Sequence, residues 1–298
     1  MNSEQFWNVL EQHIGVVTGR RFVARQRQPL GGGCINQAWR VGDGERDFFV
    51  KTNSLAVAQT MFEAEAAALA ELAATGAVRV PLPVEHGTAA GLAFLVLEYL
   101  PLGGGGTRVL EILGRRLAAL HRIPQPFFGW HRDNTIGSTP QPNKRGDDWI
   151  TFWRERRLGF QLDLAARNGH GGELRRQGEQ LLARFAELFT GYRLVPALLH
   201  GDLWGGNVGC TVEGEPVIFD PACYYGDREA DLAMTELFGG FPERFYAAYR
   251  EALPLDVGYP QRRMLYNLYH VLNHLNLFGG GYRTQAEHMI DRLLAELG

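Results

Sequence analysis

The N-terminal residues carry apolar side chains at helical and then at strand-like intervals. Phe6, Leu10 and Ile14 are spaced so that they share one helix face, which predicts a helix over residues 1–20. Residues 37–52 contain two β-rich runs on either side of a Gly-Asp-Gly turn, and this pattern predicts a hairpin.

A second helix and two more strands complete this first region. The helix is predicted over residues 56–75 and ends at Gly76, a C-cap residue. Residues 78–100 then predict two strands joined by a glycine-containing turn. The order strand, glycine loop, strand, strand, helix, strand, strand predicts a small domain with an antiparallel sheet over residues 1–100. The segment PLGGGG follows as a linker, and residues 101–298 form the second predicted domain.

The second region is mostly helical in pattern. Helices are predicted over residues 107–123, 148–168 and 172–191, with an ordered loop over residues 124–149. A short polar motif, a hairpin and mainly helical sequence complete the chain. The predicted fold class is therefore α+β, with a sheet-based N-terminal domain and a larger helical domain.

Composition excludes several classes of function. The 298 residues are 45% hydrophobic and 21% charged with a net charge of -3, so neither a nucleic-acid partner nor a membrane partner is expected. The apolar run GLAFLVLEYL is too short to span a bilayer, which needs about 20 residues. Cys34, Cys210 and Cys223 form no C-x-x-C pair, which argues against a disulfide framework or structural zinc and fits a reducing cytoplasm.

The motif HGDLWGGN carries the clearest candidate chemistry. His200, Asp202 and Asn207 match the kinase catalytic-loop pattern H-x-D-L-x-x-x-N. In that pattern the Asp accepts the proton of a substrate hydroxyl and the Asn supplies an oxygen ligand to Mg²⁺. Asp220 follows thirteen residues after Asn207, at the end of the predicted hairpin, where it can serve as the second metal ligand. Each element is weak alone, but their order and spacing together predict a kinase that uses ATP and Mg²⁺.

Upstream, Lys51 ends an apolar strand and is one of only two lysines among 30 basic residues. It is predicted to contact the α- and β-phosphates of ATP. The next helix offers Glu63 and Glu65 as its partner. Glu65 is preferred because it shares a helix face with Leu69 and Leu72 and so points inward.

Two further segments are predicted to contact ATP. The loop of Gly31, Gly32, Gly33 and Cys34 lets backbone N–H groups approach phosphate oxygens, although it is not a G-x-G-x-x-G motif. The backbone of Glu98 and Leu100 is predicted to face the adenine edge. Oxidation of Cys34, or its disulfide pairing between two chains, is a further hypothesis for control of activity.

Two differences from protein kinases indicate a small substrate. Gly201 replaces the Arg of H-R-D, so no Arg there can read a phosphorylated activation loop. Only ten residues separate Asp220 from Asp231, too few for a segment that docks a peptide. Asp231 and His200 are instead predicted to brace the catalytic loop.

With these motifs, and with FDPACYYGDREADLAM and LYHVLNHLNLFGGGY, the chain resembles the fructosamine (ketosamine) kinase family. That family belongs to the aminoglycoside-phosphotransferase branch of the bilobal protein-kinase-like fold. The resemblance implies ATP-dependent phosphorylation of the 3-hydroxyl of a ketosamine, which starts deglycation. It also implies Asp202 as the base, Asn207 and Asp220 as Mg²⁺ ligands, and Trp204 and His274 as candidates for the sugar pocket.

Other functions remain open on sequence alone. A kinase of the same fold acting on an aminoglycoside, choline or a sugar is one alternative, and a nucleotide-binding module without catalysis is another. Intact Lys51, Asp202, Asn207 and Asp220 argue against the second. The ketosugar, the amine that carries it and the oligomeric state are not determined.

Overall fold

A computed structural model of the chain describes residues 3–31 and 35–298. It contains a five-stranded antiparallel sheet near the N-terminus, followed by mostly helical structure. The predicted α+β class is therefore confirmed.

The described residues form two compact units. The N-terminal unit runs to Val109 and also includes residues 209–221, and the C-terminal unit comprises residues 110–208 and 222–298. The sequence pattern places residues 209–221 in the second domain, whereas the structure groups them with the N-terminal unit. The division of the chain at residue 100 remains a prediction.

Hydrogen bonds explain why a distant hairpin belongs to the N-terminal unit. The Gly103 N–H donates to the Cys210 carbonyl at 2.8 Å, and the Ile218 N–H donates to the Arg79 carbonyl at 3.0 Å. Unpaired backbone groups are costly to bury, so these bonds attach the hairpin to the chain that precedes it. Its strands are β9 (Val208–Cys210) and β10 (Pro216–Ile218).

The main sheet has the strand order β1-β2-β3-β5-β4, and all of its neighbours are antiparallel. Its strands are β1 (Gln26–Leu30), β2 (Gln37–Gly42), β3 (Asp47–Asn53), β4 (Pro83–Ala89) and β5 (Leu92–Glu98). The predicted hairpin of β2 and β3 and the predicted pair of β4 and β5 are both present.

Two helices accompany the sheet. Helix α1 (Ser3–Thr18) buries Phe6, Leu10 and Ile14 in a core shared with Val50 of β3. Helix α2 (Ala58–Ala74) packs against β4 and β5. Side chains alternate between faces along a strand, so burying Val50 with α1 directs its neighbour Lys51 to the opposite face.

The C-terminal unit is built mainly from helices, and α9 packs against α5, α7 and α10. The helices that follow the linker are α3 (Thr107–His121), α4 (Trp149–Phe152), a π-helical turn (Trp153–Leu158), α5 (Gly159–Arg167), α6 (Glu173–Arg184), α7 (Glu229–Leu237), α8 (Glu243–Ala252), α9 (Tyr259–Phe278) and α10 (Tyr282–Glu296). Trp149 and Trp153 lie in the core of this unit, with their rings 5.3 Å apart and tilted by 35°.

Short strands complete the C-terminal unit. The predicted ordered loop over residues 124–149 also contains a small hairpin of β6 (Asn134–Ile136) and β7 (Thr139–Gln141). Strand β8 (Ala197–Leu199) pairs with β11 (Tyr224–Gly226) and leads directly into the HGD motif. A strand of three residues has too short a hydrophobic pattern to be distinguished from a loop. The β6–β7 hairpin therefore could not be predicted from the sequence.

Among the helices of residues 3–31 and 35–298, none is both long and apolar enough to cross a membrane.

Candidate active site

In the N-terminal unit, Lys51 lies between two carboxylates. Its Nζ is 2.6 Å from Glu65 Oε1 on α2 and 2.5 Å from Asp220 Oδ1 after β10. Lys51 is only 5% exposed. The contact with Glu65 is the one that sequence analysis preferred, and the other candidate, Glu63, accepts a hydrogen bond from Gln59 at 3.0 Å.

The two carboxylates keep the lysine charged. Burial by itself would lower the pKa of Lys51, but the negative charges of Asp220 and Glu65 outweigh burial and raise that pKa above its ordinary value. Burial raises the pKa of Glu65, and the nearby Lys51 cation opposes that rise. The ammonium is therefore a fixed cation on an apolar strand, suited to a phosphate group.

Asp220 has an unusual backbone conformation. Its φ is 57°, in the left-handed region, and its side chain is 49% exposed. Asp tolerates this region better than most residues, yet such positions cluster at functional sites. One carboxylate oxygen contacts Lys51, and the exposed carboxylate provides an oxygen donor for a cation.

The remaining ATP candidates lie at the ends of strands. Gly31 is exposed and follows β1, while Gly32, Gly33 and Cys34 lie outside the described residues, as does the redox hypothesis for Cys34. Glu98 ends β5, and its N–H already donates to the Leu82 carbonyl at 2.8 Å. The Glu98 N–H is therefore already paired within the N-terminal unit. Leu100 lies two residues beyond the strand.

In the C-terminal unit, the catalytic-loop motif contains a glycine, Gly201, that the backbone requires. Gly201 has a φ of 81°, and a Cβ there would lie 2.1 Å from the carbonyl oxygen of Ala222. The Ala222 N–H donates to the His200 carbonyl at 2.8 Å. Gly201 therefore lets two chain segments approach closely, a structural reason for the residue that sequence analysis noted only as a missing Arg.

Asp231 holds this loop through backbone hydrogen bonds. Its carboxylate accepts from the His200 N–H at 2.7 Å and from the Gly201 N–H at 2.8 Å. His121 Nε2 lies 3.2 Å from the same carboxylate. Burial opposes ionisation, but these contacts, led by the His121 hydrogen bond, lower the pKa of Asp231. The bracing contact expected from the sequence is present, and His121 is a partner that sequence analysis missed.

Asp202 and Asn207 contact each other. Asn207 lies in a 3-10 turn (Gly205–Asn207), and its Nδ2 donates to the Asp202 carbonyl at 2.8 Å and to Asp202 Oδ2 at 3.2 Å. The Asp202 N–H in turn donates to His200 Nδ1 at 3.2 Å. With the amide nitrogen committed to Asp202, the Oδ1 of Asn207 is the atom suited to a cation.

These donor atoms fit Mg²⁺ by their chemistry. An Asn oxygen and a carboxylate are hard ligands, and Mg²⁺ is usually held by one or two such side chains together with phosphate oxygens. Within the described parts of the chain, no group of three or more His, Cys, Asp or Glu side chains is placed to hold a metal. Asn207 and Asp220, each taken by itself, carry an oxygen donor of the kind that binds Mg²⁺.

The two predicted sugar-pocket residues belong to one row of rings. The Trp204 ring is 6.0 Å from that of Phe238, and the Phe238 ring is 4.9 Å from that of His274. Trp204 is 39% exposed and Phe238 is 38% exposed. Phe238 was not predicted from the sequence, where its one signal is its position at the end of a helix before two glycines.

Comparisons with solved structures identify the class of fold. The chain superposes on crystal structures of the aminoglycoside phosphotransferase APH(4)-Ia, one with a TM-score of 0.66 at 14% identity over 96% of this chain and 98% of that one. At this identity the likeness establishes the fold, and the predicted kinase-like fold is confirmed.

The sequence then identifies the family. The family model described as fructosamine kinase matches residues 6–296, and the chain belongs to that family. It is 48% identical to a probable ketoamine kinase of Synechocystis over 99% of both chains. It is 45% identical to the chloroplastic protein-ribulosamine 3-kinase of Arabidopsis thaliana over 90% of this chain and 82% of that one. A crystal structure from Haemophilus somnus, provisionally named a fructosamine-3-kinase, has a TM-score of 0.90 at 31% identity over 98% of this chain and 99% of that one.

Proposed function

We propose that this protein is a kinase that transfers the γ-phosphoryl group of ATP to the 3-hydroxyl of a ketosamine, a ribulosamine or fructosamine adduct. The observation that carries the proposal is a complete set of kinase side chains in a member of the fructosamine kinase family. These side chains are Lys51 paired with Glu65, Asp202, Asn207 and Asp220.

In this proposal Asp202 is the general base. Its carboxylate accepts the proton of the substrate 3-hydroxyl as that oxygen attacks the γ-phosphorus. The bond from the γ-phosphorus to the bridging oxygen breaks, and ADP leaves with the electron pair. The hydrogen bond from Asn207 Nδ2 to Asp202 Oδ2 supports the role, since it fixes one carboxylate oxygen and directs the other.

ATP is held mainly by the N-terminal unit in this proposal. Lys51 contacts the α- and β-phosphates, and Glu65 orients Lys51. The Gly31 to Cys34 loop approaches the phosphates, and the backbone of Glu98 and Leu100 meets the adenine. Solved neighbours of the same fold bind ADP or AMP-PNP, which supports a nucleotide here.

Asn207 and Asp220 would hold Mg²⁺ in this proposal. Bound with the nucleotide, Mg²⁺ neutralises negative charge on the phosphates. Asn207 would bind through Oδ1, because its Nδ2 is committed to Asp202.

Phosphorylation at the 3-position explains a repair function. The 3-phosphate lies beside the C2 ketone, is eliminated readily and leaves an adduct that releases the amine. The relatives named for ketoamine or protein-ribulosamine substrates support both small and protein-linked acceptors. The cytoplasmic location expected from the cysteine pattern is part of this proposal.

The test is a substrate panel. The purified protein, with ATP and Mg²⁺, is assayed for ADP release on ribulose-lysine, erythrulose-lysine, fructose-lysine and kanamycin, with unmodified lysine as the blank. We expect turnover of at least one ketosamine and a ³¹P NMR signal from a phosphate on the sugar 3-position. Turnover of kanamycin alone would contradict the proposal, and so would ADP release that does not depend on an acceptor.

A further inference from the structure

The 298 residues contain two lysines, Lys51 and Lys144, among 30 basic residues, and all the others are arginine. An aldose forms a ketosamine when a neutral amine attacks its aldehyde carbon, and lysine side chains carry out this kind of addition to carbonyl groups. The arginine guanidinium stays protonated and cannot take part. The surroundings of Lys51 and Lys144 therefore determine which side chains of this protein can themselves be glycated.

Lys51 is shielded from sugars. It is 5% exposed, and its Nζ lies 2.6 Å from Glu65 Oε1 and 2.5 Å from Asp220 Oδ1. Burial by itself lowers the pKa of Lys51, but the charges of Asp220 and Glu65 outweigh burial and raise that pKa, so the fraction of neutral amine falls. A sugar aldehyde needs both access and a neutral nitrogen, and Lys51 offers neither.

Lys144, by contrast, is exposed on a loop whose backbone is fixed on both sides. Asn143, the residue before it, is 1% exposed, and its N–H donates to Asp133 Oδ1 at 2.6 Å. Two residues after Lys144, Gly146 exchanges two backbone hydrogen bonds with Phe128, each of 2.8 Å. The position of Lys144 at the surface is therefore a property of the fold.

The acidic residues that follow Lys144 in the chain have other partners. Asp147 lies 3.9 Å from the Arg145 guanidinium, and Asp148 accepts a hydrogen bond from the Thr151 N–H at 2.7 Å. Within residues 3–31 and 35–298, Lys144 makes no ion pair and no side-chain hydrogen bond. The two kinds of protection found at Lys51, burial and charge pairing, are thus both missing at Lys144.

We propose that Lys144 is the one lysine at which an aldose converts this protein into a ketosamine, and that a second molecule of the enzyme removes the adduct. The Lys144 nitrogen attacks the aldehyde carbon, water leaves and an imine forms. The imine then isomerises to the 1-amino-2-ketose by an internal hydrogen shift, in which C2 is oxidised as C1 is reduced, so no external oxidant is needed.

Removal of the adduct rests on the proposed ketosamine kinase function. The second enzyme molecule transfers the γ-phosphoryl group of ATP to the 3-hydroxyl of the Lys144 adduct, and ADP leaves. Phosphate is then eliminated beside the C2 ketone, and water releases the Lys144 amine together with a 3-deoxy dicarbonyl sugar. Lys51, the amine that the kinase itself needs, stays unmodified throughout.

The first experiment maps the adduct and needs no kinase activity. Native protein without ATP is incubated with D-ribose, and peptide mass spectrometry follows the pentose adduct at each lysine. We expect Lys144 to react at least about a hundredfold faster than Lys51, because each unit of raised pKa lowers the neutral fraction tenfold. Comparable rates at Lys51 and Lys144 of the native protein would overturn the proposal.

Protein unfolded in guanidinium chloride is the control for the role of the fold. Without burial and ion pairs, Lys51 and Lys144 should react with ribose at similar rates. Lys51 that stays unreactive in the unfolded protein would show that its tertiary contacts are not the source of protection, and would contradict the argument from Glu65 and Asp220.

Lys144→Arg is the matched variant, because it keeps the positive charge and removes the amine. Native Lys144→Arg protein should form no lysine adduct with ribose and should turn over ribulose-lysine at the wild-type rate, since Lys144 is not among the proposed catalytic or ATP-binding residues. Formation of a Lys51 adduct in this variant, as fast as the Lys144 adduct forms in wild-type protein, would refute the assignment.

The last experiment tests removal by a second molecule. Asp202→Asn protein lacks the proposed base, so it is glycated with ribose, freed of the sugar and used as the substrate. A small amount of wild-type enzyme with ATP should restore free Lys144, whereas ATP alone should not. Wild-type enzyme that turns over ribulose-lysine but leaves this adduct in place would overturn the removal step. If it turns over no ketosamine, the proposed function fails, while the mapping of Lys144 stands or falls on its own result.

Discussion

The two units hold their candidate active-site charges in different ways. In the N-terminal unit Lys51 is fixed by side-chain ion pairs to Glu65, 14 residues away, and to Asp220, 169 residues away. In the C-terminal unit Asp202 and Asn207 are five residues apart and lie in a loop tied by backbone hydrogen bonds to Asp231. The first arrangement depends on charge partners, and the second depends on the path of the backbone.

The two arrangements should respond differently to the removal of a charged side chain. Removing one member of a buried ion pair leaves an uncompensated charge, whereas removing both can be nearly neutral for stability. A loop held by backbone hydrogen bonds instead tolerates a change in the charge of Asp202, because the N–H donors bind Asp231. A substitution of Lys51 should therefore lower both stability and turnover, whereas a substitution of Asp202 should lower turnover alone.

The largest effect is expected at Asp202. Asp202→Asn keeps the shape of the side chain and removes its basicity, so kcat should fall by about two to four orders of magnitude, the range for a positioned base. The unfolding midpoint and the affinity for ATP should change little. Steady-state kinetics and thermal unfolding measure both. Asp163→Asn, on an exposed carboxylate of α5, is the control, and near-normal kcat in folded Asp202→Asn protein would falsify the assignment.

Lys51→Met should affect turnover and stability together. Loss of the phosphate-binding cation should lower kcat/KM for ATP about 10²- to 10³-fold. The buried Glu65 carboxylate is left without its partner, at a cost of about 3 kcal/mol. Urea denaturation and ATP titration of the rate measure the two effects.

The double variant Lys51→Met/Glu65→Leu sharpens this comparison. It removes both buried charges, so it should regain most of the lost stability and none of the lost activity. Asp220 remains solvated in the double variant, because its side chain is 49% exposed. A double variant as unstable as Lys51→Met would show that the ion pair is not the source of the loss.

A smaller loss of stability, with a pH signature, is expected at Asp231. Asp231→Asn removes an acceptor from the loop N–H groups and should lower stability by about 1–3 kcal/mol. The folded pKa of Asp231 lies below its ordinary value of 3.8. Its ionisation therefore stabilises the fold above that value, and the contribution is lost as pH falls toward the folded pKa. Between pH 4 and 3 the urea midpoint should fall less steeply in the variant than in the wild type, and parallel curves would contradict the assignment.

The smallest effect is expected at Glu63. It shares α2 with Glu65 and contacts Gln59, so Glu63→Gln should change stability by less than about 0.5 kcal/mol and leave the KM for ATP unchanged. Glu65→Gln, measured beside it by the same denaturation and kinetics, should impair both. Equal behaviour of the two variants would mean that the Lys51–Glu65 contact is not functional.

Much of the fold follows from local pattern. Side chains alternate between the faces of β3, which puts Val50 and Lys51 on opposite faces, and the helical spacing of Glu65 with Leu69 places Glu65 inward. Both directions follow from spacing along the chain. The HGD motif likewise predicts a catalytic loop that contains Asp202 and Asn207. These features depend on residues close in the chain, where spacing determines direction.

Tertiary structure decided what depends on distant segments. The contact of Lys51 with Asp220, the attachment of residues 209–221 to the N-terminal unit and the second Asp231 partner, His121, each join residues more than 100 positions apart. The Phe238 and His274 rings lie 4.9 Å apart only because α7 and α9 pack together. The sequence by itself therefore determined the chemical groups and their local direction. Packing decided which of them meet, because the free energy of burial acts between surfaces that sequence spacing does not relate.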